Sequence, residues 1–139
     1  MILKKQKVVC SIVFLIYIFI VLYLTIFRFS FYYHERQLNL SLFTDLINVF
    51  RNVGVGEFLR LFLGNIGWFV PFGFLLPMLL KRKNLLITMA IGMVFSLFIE
   101  TMQFILHNGV AELDDLILNT VGTAFGYLLY KLSQKTFLK

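Results

Sequence analysis

Five side chains able to do chemistry interrupt stretches that are otherwise apolar: Asn65, Glu100, Gln103, Asp115 and Asn119. A charge near the middle of a membrane span costs about 2.5–3.5 kcal/mol on insertion scales, so such a residue faces the helix bundle or water. Carboxylates combined with amides can bind a cationic or hydroxyl-rich head group, hold a divalent cation, or transfer protons. Glu100 and Asp115 are the candidate metal ligands, and their charge is the hardest to explain structurally. Asn65, Gln103 and Asn119 have an equally good plain explanation as interhelical hydrogen bonds, worth about 0.6 kcal/mol each in membranes. Glu112 and Asp114 read as solvated loop residues, His34 and His107 as interfacial anchors, and Cys10 as an ordinary buried apolar residue. No Ser/His/Asp grouping, H-E-x-x-H motif or phosphate-cradling glycine loop accompanies them.

The elements that must position these residues are membrane spans. Of the 139 residues, 60% are hydrophobic and only 14% charged, against roughly 45–50% and about 25% in soluble domains. With 2 prolines and 9 glycines the chain is not loop-rich, and residues 1–139 form one domain. The fold class is all-α: four transmembrane helices near residues 8–27, 61–80, 85–106 and 116–132, each spanning roughly 30 Å of hydrocarbon. The fourth is the shortest and most polar, and a three-helix reading with a peripheral last helix is the alternative. The net charge of +6 does not gather on one face, which argues against nucleic acid.

Basic residues set the orientation. Lys4, Lys5 and Lys7 precede the first span, Lys81-Arg82-Lys83 joins the second and third, and Lys131, Lys135 and Lys139 close the chain, while the 107–114 loop has no Lys or Arg. Both termini are therefore expected in the cytoplasm, which leaves Arg28, Arg36, Arg51 and Arg60 outside. In that outer loop Leu42, Phe43, Leu46, Ile47, Phe50 and Val53 recur at helical spacing, opposite Asp45, Asn48, Arg51 and Asn52. An amphipathic interfacial helix is expected there, capped near Ser41 or Asn39 and ended by Gly54 and Gly56.

Counting inward at about 1.5 Å per residue, Asn65, Glu100 and Asn119 reach one level, with Gln103 and Asp115 above them. Gly92, Ser96, Glu100 and Gln103 share one stripe of the third span; Asp115, Asn119, Gly122 and Gly126 share one of the fourth. Small residues let helix backbones approach closely, so the seams are expected to lead to an outward-opening polar pocket.

Three segments resemble the VanZ-like family: Asn65-Ile66-Gly67-Trp68-Phe69-Val70-Pro71-Phe72-Gly73-Phe74-Leu75-Leu76-Pro77, Ser96-Leu97-Phe98-Ile99-Glu100-Thr101-Met102-Gln103, and Asp114-Asp115-Leu116-Ile117-Leu118-Asn119-Thr120-Val121-Gly122. They are similar to that family's N-x-x-x-F-x-P-F-G-F-L-L-P, S-x-x-I-E-x-x-Q and D-D-x-x-x-N-T-x-G, in the same order. The resemblance implies a multi-helix bacterial membrane protein linked to glycopeptide tolerance, teicoplanin resistance being the founding association. Gly109 stands where an Arg is common, and Asn39-Leu40-Ser41-Leu42-Phe43 lacks the family's proline.

The expected function is a multi-pass cell-membrane protein that binds a lipid-linked envelope component or a lipophilic antibiotic in the outer pocket. The alternative is a membrane enzyme acting on a lipid-linked substrate, with Glu100 and Asp115 as acid/base groups or metal ligands. Enzymatic activity is left open, binding being the preferred reading. No cofactor is expected beyond a divalent cation between those carboxylates. Membrane lipids or a lipid-linked envelope precursor are the expected partners, with a homo-oligomer allowed.

Overall fold

The computed structural model describes residues 4–27, 35–81 and 83–137. Arg28, His34, Arg82 and Lys139 lie outside the described residues. Helix α1 (Lys4–Leu22) runs on through a π-helical turn, Tyr23–Phe27. Strand β1 (Gln37–Asn39) and helix α2 (Thr44–Asn52) follow, then α3 (Val55–Leu79) and α4 (Leu85–Leu106). Strand β2 (Val110–Glu112) leads directly into α5 (Leu113–Phe137).

Three helices are long and apolar enough to cross a membrane: Lys4–Phe27, Val55–Leu79 and Leu85–Leu106. The 25 residues of α3 rise about 37 Å, more than the roughly 30 Å hydrocarbon core. Helix α5 is equally long. Asp114, Asp115, Asn119 and Thr120 near its start, and Lys131, Gln134 and Lys135 near its end, dilute its apolar content. It does not count among the three.

Local chemistry sets the helix limits. The Asn84 side chain caps α4 by accepting the Leu86 N–H at 2.7 Å and the Ile87 N–H at 3.4 Å, and His107 ends it in the left-handed region. Gly54, at φ 123°, separates α2 from α3, a conformation open to glycine and strained for other residues. Gly56 does not end α2 but lies in the first turn of α3. There the Glu57 carboxylate holds Arg60 one turn on, at 2.5 Å. Expected at Ser41 or Asn39, the start of α2 falls instead at Phe43, which has φ 53° and no side-chain cap of its own.

Beyond the all-α expectation, β1 and β2 pair in parallel, with Leu38 opposite Ala111 and Asn39 opposite Glu112. Backbone groups leaving α1 and α4 on the same side thereby satisfy one another.

In lipid, burying apolar side chains drives association little, and close packing does most of the work. The core gathers Val21, Phe69, Phe72, Leu76 and Ile99, with Phe72 stacked on Phe95 at 5.2 Å. Backbone meets backbone where α5 lies against α3: a Cβ on Gly122 would come within 2.2 Å of the Ile66 carbonyl, and one on Gly126 within 2.0 Å of that of Val70. Residue numbers rise together along this contact, so the two helices run parallel at matched depth. Against α4 the register is antiparallel: Asn119 bonds Ser96, and Gly92 faces Thr123.

Candidate functional site

The polar residues do not form one knot. Glu100, on the buried face of α4, accepts the Glu112 N–H at 2.9 Å. Asn119, one turn along α5 from Asp115, donates to the Ser96 hydroxyl at 2.9 Å. Asn65 donates from α3 to the Asp115 carboxylate. Equal depth does bring three helices to this level, yet among the described residues no hydrogen bond joins Glu100, Asn65 and Asn119 to one another. Gln103 points elsewhere: its amide donates to the Thr25 carbonyl at 3.2 Å, while the Asn108 amide donates to that of Ile26. Together they satisfy carbonyls that the end of the first helix leaves without intrahelical partners.

The largest departure concerns the acidic loop. Asp114, expected to be solvated, is 2% exposed. Its two carboxylate oxygens accept the Phe43 N–H at 2.8 and 3.0 Å. Because Phe43 is the N-cap residue of α2, a carboxylate 71 residues away ties down the start of that helix. Asn39 completes the corner: its carbonyl oxygen accepts the Ser41 N–H at 3.0 Å, and its amide donates to Asp45 at 2.6 Å. At the far end of α2, Phe50 packs edge-on against Phe58 of α3, which in turn stacks on Phe62.

Fastened at both ends, α2 roofs a cleft of about 290 Å³. Asp45, Leu46 and Val49 line it from α2, Leu61 and Asn65 from α3, and Glu112 and Asp115 from β2 and the start of α5. Of the five residues singled out in the sequence, Asn65 and Asp115 border this cleft. Glu100 instead borders two smaller hollows, of about 100 and 190 Å³, beside Leu38, Leu97 and Ala111. Asp45 and Glu112 were not singled out. Asp45 reads as the solvated face of an amphipathic helix and Glu112 as loop, and only the fold turns both toward Asn65.

Crowding of carboxylates sets the electrostatics. Partial burial, then the charges of Asp115, Asp45 and Asp114, push the Glu112 carboxyl up to about 7. Near neutrality it therefore exists as a mixture of acid and carboxylate, able to donate or accept. Among the described residues no three His, Cys, Asp or Glu side chains are grouped to hold a metal ion. Glu100 and Asp115 each already engage a protein donor. An acidic, half-apolar cleft favours a ligand that brings amines or hydroxyls together with an apolar part, and disfavours a bare phosphate. Arg36 lies over the Phe104 ring at 5.6 Å, a cation–π contact.

The VanZ/LLP1 family model matches residues 14–134. Protein VanZ of Enterococcus faecium is 36% identical over 126 residues, covering 86% of this chain and 72% of that protein. No solved structure matches the chain.

Proposed function

Because this chain belongs to the VanZ/LLP1 family, we propose that it is a bacterial cell-membrane protein contributing to tolerance of teicoplanin-type glycopeptides. It acts by binding, in the cleft under α2, the polar group of a lipid-linked envelope component or of the lipophilic antibiotic itself. The observation that carries this reading is the lining of the cleft, where three carboxylates and Asn65 meet Leu46, Val49 and Leu61. Such a lining suits amine- or hydroxyl-bearing groups attached to an apolar body.

In this reading α5 is a fourth span. Its parallel contact with α3 across Ile66–Phe74 supports a shared depth, and interhelical packing substitutes for the apolarity that α5 lacks. Both termini are cytoplasmic, following the lysines at one end of the bundle, and α2 lies in the outer interface as the roof of the cleft.

Teicoplanin is the probe for the test, titrated onto the full chain in lipid nanodiscs, with a parallel tolerance assay in a susceptible host. Saturable binding and raised tolerance are expected for the wild type. Both should be lost in Asp115→Asn, which keeps the shape and removes the charge; Glu100→Gln, which leaves only a neutral acceptor for the Glu112 N–H behind the cleft, should weaken both. Repeating the titration with EDTA and with added Ca²⁺ reports whether a divalent cation shares the site. Wild-type tolerance in both variants, with the protein correctly inserted, overturns the reading.

A further inference from the structure

At the opposite end of α3 from the cleft, α1 and α3 part to leave a second hollow of about 470 Å³. Val9, Cys10 and Val13 form one wall, Phe74 and Met78 the other, and Lys5 stands at the mouth. The Cys10 sulfur lies 3.6 Å from that of Met78, and the Tyr17 hydroxyl donates to the Trp68 carbonyl at 2.5 Å. As α1 advances from Cys10 to Tyr17, α3 thus recedes from Met78 to Trp68, and the two run antiparallel. That register puts Lys4 and Lys5 at the level of Leu80 and Lys81.

Charge at this end has one sign. No Asp or Glu occurs within residues 1–34 or 58–99, whereas Lys4, Lys5, Lys7 and Lys81 all fall there, and all four are exposed. From Lys5 to Val13 the helix rises about 12 Å, close to the roughly 15 Å of one leaflet's hydrocarbon. The hollow is therefore a shallow, open-sided apolar slot about one leaflet long, with a cationic collar. Lysine stems can lie along its rim while the ammonium groups reach the head-group layer.

We propose that this slot binds one acyl chain of an anionic glycerophospholipid from the leaflet at the basic end, with its phosphate held by Lys5 and the neighbouring lysines. The site is separate from the cleft: Met78 and Asn65 are 13 residues apart on α3, about 20 Å along the helix.

Cys10 is the only cysteine in the sequence and lines the slot, so maleimide labelling reads occupancy without any substitution. The full chain, in a neutral detergent, is titrated with phosphatidylglycerol or with phosphatidylcholine while the alkylation rate of Cys10 is followed. Phosphatidylglycerol should slow labelling severalfold, and phosphatidylcholine should need at least tenfold more for the same protection. Lys5→Ala, at an exposed position that leaves folding intact, should raise the half-protecting phosphatidylglycerol concentration about fivefold and leave the phosphatidylcholine curve unmoved. Native mass spectrometry should count one retained phosphatidylglycerol in the wild type and none in Val9→Trp, which fills the slot. Equal protection by the two lipids, no protection by either, or an unshifted Lys5→Ala curve would overturn the proposal.

Discussion

Substituting alanine for Gly126 tests the contact between α3 and α5 directly. A Cβ there would sit 2.0 Å from the Val70 carbonyl oxygen, where ordinary contact begins at 3.4 Å, a shortfall of 1.4 Å. The Phe74 nitrogen and Gly73 carbonyl carbon follow at 2.8 and 2.9 Å. All three are backbone atoms, so no side-chain rotation relieves the clash and the helices must separate. Overpacking costs typically about 1–3 kcal/mol, and alanine returns about 1 kcal/mol of helix propensity. With rigid atoms on both sides the upper end applies, which leaves Gly126→Ala destabilised by about 2 kcal/mol. Gly67, on α3 itself, is the internal control: a Cβ there meets nothing within 4 Å, so Gly67→Ala should gain up to about 1 kcal/mol. Unfolding by sodium dodecyl sulfate in mixed micelles, followed by circular dichroism, measures both. The same change in stability for the two variants would refute backbone-to-backbone packing of α5 on α3.

Three further outcomes are expected. Asp114→Ala removes the acceptor of the Phe43 N–H and, with it, about 1 kcal/mol of capping at the start of α2; amide exchange over residues 44–52 should speed about fivefold, and unchanged exchange would show that α2 is held otherwise. Glu112 titrates at about 7 in the fold against 4.5 for an ordinary glutamate, so the folded state binds its proton more tightly than the unfolded one. The stability this confers is complete below pH 4.5 and is lost as pH rises through 7; denaturation between about pH 5 and 8 should show a steeper decline for the wild type than for Glu112→Gln, and parallel curves would contradict the assignment. Reporters fused after Lys139 and within Lys81–Lys83 should report cytoplasm, and one at Asn108 the outside; an external C-terminus would break the four-span topology.

The third span read near 85–106 coincides with α4, because a long unbroken apolar run is a local signal; the Asn84 cap and the left-handed His107 that bound it emerge only in the fold. Small-residue stripes likewise pointed to the right faces of α4 and α5, since helical periodicity alone decides which side chains share a face. What periodicity cannot supply is the neighbour. Asn119 and Glu100 fall on the expected faces, yet one bonds Ser96 and the other a backbone N–H of β2, pairings set by the crossing of helices. Asp114 reads as loop because nothing nearby in sequence could bury it; its partner, Phe43, is 71 residues away. Asp45 and Glu112 were missed for the same reason, and with them the roofed shape of the cleft. The pairing of β1 with β2 was equally hidden, since three-residue strands carry no alternation to detect.

The glycine seam between α3 and α5 bears on the order in which the chain is made. Helix α3 leaves the ribosome before α5, so the docking surface exists before the helix that uses it. Until α5 arrives, the Gly73 side of α3 is a bare backbone groove, filled only when α5, less apolar than the three candidate spans, docks there. The cleft, which Asp115 at the start of α5 helps to line, is therefore completed only once that contact has formed.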